Sequence, residues 1–74
     1  MQVGDYVIHK QQGFVYRVMT LGSRGLVYCR YAGKGPRSPS PYAGKWAPVL
    51  LTADILRPMS ERERTLWDEA SKGA

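Results

Sequence analysis

Two short apolar runs joined by a polar turn open the chain: Val3 to Val18 reads VGDYVIHKQQGFVYRV. Gly4 and Asp5 mark a turn into a strand, and Tyr6, Val7 and Ile8 are the aromatic and β-branched types that suit a pleated backbone. Gln11, Gln12 and Gly13 supply the reversal, since Gly13 can take the positive φ that a tight turn needs. Phe14 to Leu21 holds neither Gly nor Pro, so a second strand is predicted to pair antiparallel with the first. Both sets of alternate positions in FVYRVMTL are largely apolar and only Arg17 marks an outside, which places Phe14, Tyr16 and Val18 inward.

The segment from Gly22 to Gly25 is a turn of hairpin length, and Leu26 to Tyr31 follows as a third strand. Its alternation puts Val27, Cys29 and Tyr31 toward a core and Leu26, Tyr28 and Arg30 on an outer face. With Val7 inside, Tyr6 and Ile8 also point outward, leaving more apolar surface there than water favours. Ala32 to Lys45, AGKGPRSPSPYAGK, then changes character, with three glycines, three prolines and two serines. That composition predicts a long, mobile loop carrying Lys34, Arg37, Tyr42 and Lys45. Pro36 and Pro39 within it match PxxP formally, so a proline-rich ligand for another domain is an alternative role.

Trp46 to Leu51 resumes a strand, placed at an edge or bulge by Pro48. Thr52 to Asp54 reads as a cap and one helical turn, and Ile55 to Arg57 as a brief closing strand stopped by Pro58. Ser60 and Glu63 have the spacing of a capping box, and Gly73 suits a C-terminal stop, so Ser60 to Gly73 is a helix of about three turns. Leu66, Trp67 and Ala70 form its apolar stripe. Docked on the face that holds Tyr6 and Ile8, the stripe would cover the surplus apolar surface, with Trp67 as the packing anchor. The fold class is therefore mainly β: a small five-stranded SH3-like barrel over residues 1–58, with a short C-terminal α-helix over 59–74 packed on it.

Seventy-four residues make one small domain, which buries only about 60% of its unfolded surface. The lone Cys29 excludes an internal disulfide and sits in an apolar strand as a small buried hydrophobe. There is no apolar run near the ~20 residues of a membrane span, and the N-terminus lacks the signal-peptide pattern, so a cytoplasmic, reducing location is expected.

Charge sharpens this outline. No acidic residue lies between Asp5 and Asp54, whereas Lys10, Arg17, Arg24, Arg30, Lys34, Arg37 and Lys45 all fall in that interval, giving it a charge of +7. From Ser60 onward, acids outnumber bases by one. A basic body of this kind attracts a polyanion such as nucleic acid, or an acidic protein surface.

The opening VGDYVIH, followed by Gly13 and a further strand, resembles the start of the Tudor-like RNA-polymerase-interacting domain of CarD-family transcription regulators and the transcription-repair coupling factor. It is similar, more loosely, to KOW and other SH3-like modules. The resemblance spans the first eighteen residues. It departs at Phe14 and Val15, where the family has a glycine-rich continuation, and the family's helical DNA-contacting domain has no counterpart. It implies an SH3-like fold and a partner that is either nucleic acid or a polymerase subunit.

Catalytic chemistry has little to draw on. His9 is the only histidine and has no sequence-adjacent partner, which gives it a structural role, and no P-loop, GxSxG or dinucleotide fingerprint occurs. The reading is a non-enzymatic module without cofactor or metal. Arg17, Arg30, Lys34, Arg37 and Lys45 contact nucleic acid, and Tyr28 and Tyr42 are its stacking surfaces. A protein-interaction module that docks by a strand edge, or a self-associating component, are the alternatives.

Overall fold

In the computed structural model, which describes residues 1–73, the chain forms one antiparallel sheet and one helix. The strands are β1 (Tyr6–His9), β2 (Val15–Leu21), β3 (Leu26–Gly33), β4 (Val49–Thr52) and β5 (Leu56–Pro58), and the helix is α1 (Glu61–Lys72). A 3-10 turn, Ala53–Ile55, joins β4 to β5. The spatial order is β4-β3-β2-β1-β5, so β4 and β5 form the two edges. Among the described residues no pairing joins these edges, and the sheet is open where a closed five-stranded barrel was expected. The short β5, only three residues long, ends at Pro58, which has no N–H to extend a ladder. Among the described residues no helix is long and apolar enough to cross a membrane.

The central hairpin forms as the sequence predicts. Gly13 adopts a φ of +76° and donates to the His9 carbonyl at 2.8 Å. His9 itself is buried, and its Nδ1 accepts from the backbone N–H groups of Gln11 and Gln12 at 3.2 and 3.1 Å. The lone histidine thus organises the turn that joins β1 to β2.

Arg17 is exposed, while Tyr16 and Val18 are buried and Phe14 is half-buried. Val15, on the other side of the sheet, is fully buried as well, because the sheet has apolar packing on both faces. One cluster joins Val7, Tyr16, Val18, Val27, Cys29 and Leu56. The other joins Ile8, Val15 and Ala32 to Trp67 of α1, with Tyr6 and Met59 at its margin. The helix therefore covers the Tyr6 and Ile8 face, with the Trp67 and Tyr6 ring centroids 5.1 Å apart. Ser60 accepts from the Glu63 N–H and Glu63 accepts from the Ser60 N–H, completing the capping box. Leu66 is only half-buried, so Trp67 carries the docking.

The proline-rich stretch is a series of hydrogen-bonded turns laid back on β3, rather than a detached loop. The Ser40 N–H donates to the Ala32 carbonyl at 2.8 Å, and Pro39 bridges to Gly33. β3 reaches Gly33, two residues beyond the expected end. β4 begins only at Val49, because a turn takes up the backbone from Pro41 to Lys45 and Trp46 to Pro48 lie outside the ladder.

Candidate nucleic-acid interface

Strand register sets Tyr6 opposite Arg17, and Arg17 opposite Arg30. These three residues form a row across β1, β2 and β3 that continues the line from Trp67. The Arg17 guanidinium carbon lies 6.0 Å from the centre of the Tyr6 ring, within cation–π range. Like charges directly opposite one another on a sheet repel, and no carboxylate intervenes. The sole ion pair among the described residues is Arg57 with Glu63, at 2.7 Å, leaving both arginines of the row without an acidic partner.

Arg30 has a second task. Its Nη1 donates to the carbonyls of Gly44 and Trp46 at 2.7 and 3.1 Å, tying the returning loop to the sheet. The loop so held presents Trp46, which stacks on Tyr31 at 5.1 Å with an interplanar angle of 20° and on Tyr42 at 6.2 Å and 8°. Tyr31 is in turn fixed by edge contacts from Phe14 at 5.6 Å and Tyr16 at 6.1 Å. A ladder of aromatic rings thus leads from the core to the surface, ending in Trp46 and Tyr42, which are 55% and 56% exposed. Holding large apolar rings in water costs free energy that a stacking ligand would recover.

The seven residues expected to form the site are divided among separate places. Arg17 and Arg30 share the sheet row and line a groove with Tyr6, Tyr31 and Gly44. Lys34 and Tyr42 line a second groove, with Tyr31, Trp46, Pro39 and Ser40. Lys34 also borders a third, where it meets Arg37 and, from α1, Arg62 and Leu66. Lys45 is exposed in the turn next to Trp46. Tyr28 stands apart, facing Thr20 and Leu50 near the β4 edge, with no ring partner among the described residues.

Sequence reasoning passed over Trp46, Tyr31, Tyr6 and Arg62. Trp46 adjoins Lys45, a basic and aromatic pair that could have marked it, but Tyr31 read simply as core by alternation. Burial raises the Tyr16 phenol and the Cys29 thiol above their usual ranges, keeping both neutral inside the sheet. No group of three metal-ligating side chains converges among the described residues. No family model matches the chain, nor does any curated protein or solved structure with which it was compared.

Proposed function

We propose that this chain is a small, non-enzymatic binding module of the SH3-like, Tudor-like kind that contacts nucleic acid. The strand order, with one helical turn before the last strand, supports the SH3-like reading. The observation that carries the functional reading is the pairing of Arg17 with Arg30 across β2 and β3, without a carboxylate, with Arg30 holding the backbone carbonyl of Trp46, whose ring is exposed along with that of Tyr42. Phosphates neutralise the cations and bases stack on the rings. The free, buried Cys29 suits a reducing compartment such as the cytoplasm.

The test is a titration against duplex and single-stranded oligonucleotides from low to physiological salt. Counterion release sets a slope of log affinity on log salt of roughly −0.9 per duplex phosphate contact or −0.7 per single-strand contact. Four or five engaged cations give about −3 to −4.5. Absence of binding to either form at ~50 mM salt would overturn the proposal, because electrostatic attraction is strong there.

A second reading is favoured by the β4 edge. Val49 and Leu50 are 40% and 50% exposed, and no charged residue falls between Trp46 and Ala53 to discourage strand addition. That edge would dock on a protein such as a polymerase subunit or another part of a nucleic-acid machine. Leu50→Lys should abolish such docking and leave oligonucleotide binding intact.

A further inference from the structure

The three basic grooves are not independent. The first, lined by Arg17 and Arg30, shares Tyr31 with the second, the aromatic groove of Trp46 and Tyr42. The second shares Lys34 and Ser38 with the third, which holds Arg37 and Arg62. Arg17 and Arg30 rise from the sheet face that α1 covers, whereas Tyr31 packs with Phe14 and Tyr16 on the other. The cations therefore follow a path that rounds the β3 edge at Tyr31, beyond the Cys29 to Val49 pairing, and passes the aromatic ladder there. Among the described residues the only carboxylate that lines any of the three is Glu63, and Arg57 already engages both its oxygens at 2.7 and 2.8 Å.

We infer that the nucleic acid taken by this domain is single-stranded, its backbone following Arg17 and Arg30, then Lys34, then Arg37 and Arg62, with unpaired bases stacked at Trp46 and Tyr42. The inference rests on the nucleic-acid reading above and narrows it. A duplex keeps its bases stacked inside and offers a protein its phosphates and groove edges. It would leave the rings of Trp46 and Tyr42 in water. A single strand satisfies both halves of the path, because every base has a π-face and every linkage carries a charge. The aromatic groove encloses about 380 Å³, toward the small end of ligand sites and suited to one or two planar groups.

The same groove argues for tolerance of sequence. Its polar side-chain groups are those of Lys34, Ser38 and Ser40, the tyrosine hydroxyls and the Trp46 indole N–H. The side-chain amides that read adenine by paired hydrogen bonds are missing from it: the chain contains no Asn, and its glutamines are Gln2, Gln11 and Gln12, none of which lines the path. Stacking then sets affinity with little regard to base identity.

The experiment compares the full chain against oligodeoxythymidine of about ten nucleotides and a mixed-sequence duplex of about ten base pairs at ~50 mM salt, reading tryptophan fluorescence and anisotropy of labelled DNA. Expected are tighter binding of the single strand by about tenfold or more, and a quench that Trp46→Phe abolishes while Trp67 still emits. Tyr42→Ala should weaken single-strand binding about tenfold and leave duplex binding unaffected, with its melting curve recorded beside wild type as the control for folding. Equal or tighter duplex binding, with Tyr42→Ala neutral, would overturn the single-strand inference while sparing the nucleic-acid reading. Displacement of the single strand from wild type by a proline-rich peptide at micromolar concentration would also overturn it, reassigning the groove to a polypeptide. Failure of both oligonucleotides to bind would instead remove the reading on which the inference rests.

Discussion

Gly33 passes so close beneath Trp67 that a Cβ at position 33 would stand 3.0 Å from the Trp67 Cζ3, with Pro39 Cα at 3.1 Å and the Ser38 carbonyl oxygen closer still. The end of β3, the returning loop and the helix anchor thus meet at one residue without a side chain. Gly33→Ala would force backbone or indole to move. Overpacking of this kind costs about 1–3 kcal/mol, a fall in Tm of about 4–8 °C for each kcal/mol in a domain of this size. A melting curve for Gly33→Ala that matches wild type would show that the three elements do not close on this point.

Trp67 is the counterpart. It is the only buried residue of α1, and it covers Ile8, Val15 and Ala32. Trp67→Ala should cost about 3–5 kcal/mol, which is most of the stability a domain this small commands. Trp67→Phe keeps an aromatic ring near Tyr6 and should cost less. Equal melting temperatures for wild type and Trp67→Ala would mean that the helix contributes nothing to the fold.

How far the sequence foretold this arrangement depends on the range of the determining contacts. The β1 to β2 hairpin and the capping box are local, written in Gly13 and in the Ser60 to Glu63 spacing, and both form as read. The Tyr6 and Ile8 face was also legible as needing cover. What was hidden depends on contacts distant in sequence. Trp46 meets Tyr31 only because Arg30 holds the Gly44 and Trp46 carbonyls, and nothing in a run of Gly, Pro and Ser announces that the chain will return. Gly33 looked like one more loop glycine, although its bareness is required by Trp67, thirty-four positions on. Barrel closure misled for a related reason: strand count was readable, but whether β4 and β5 pair is set by curvature, which residue types barely encode.

The capping box has a pH signature. The Glu63 carboxyl is lowered from 4.5 to about 2, chiefly by the hydrogen bonds from Arg57 and then by the Ser60 N–H. A carboxylate depressed in the folded state lends stability that is fully present above its unfolded value and lost as pH falls through the folded one. The loss should therefore run from about pH 4.5 down to about 2. Arg57 is substantially exposed, so water and salt screen the pair and hold its worth to about 1 kcal/mol. Asp54, lowered chiefly by a hydrogen bond from Thr52, titrates in acid too. The informative quantity is the difference in chemical-denaturation stability between wild type and Glu63→Gln, which should shrink over that window. A difference independent of pH would show that the pair is not formed.

The two arginines of the sheet row make the final contrast, because register makes them neighbours while hydrogen bonding gives them different work. Arg17 is exposed, lies over the Tyr6 ring and makes no side-chain hydrogen bond to the loop among the described residues, so Arg17→Gln should reduce the salt slope of oligonucleotide binding by about one phosphate contact and leave the loop as it is. Arg30 contributes the same charge but also holds Gly44 and Trp46. Arg30→Gln should lower the slope similarly and, in addition, release the turn that presents the aromatic ladder, weakening binding further at every salt concentration. Hydrogen exchange separates the two effects: amides from Ala43 to Trp46 should exchange faster in Arg30→Gln, with the β2 to β3 ladder still protected, and be unchanged in Arg17→Gln. Identical exchange and identical binding in the two variants would reduce Arg30 to a surface charge. The arrangement of Trp46 would then need some anchor other than the guanidinium beneath it.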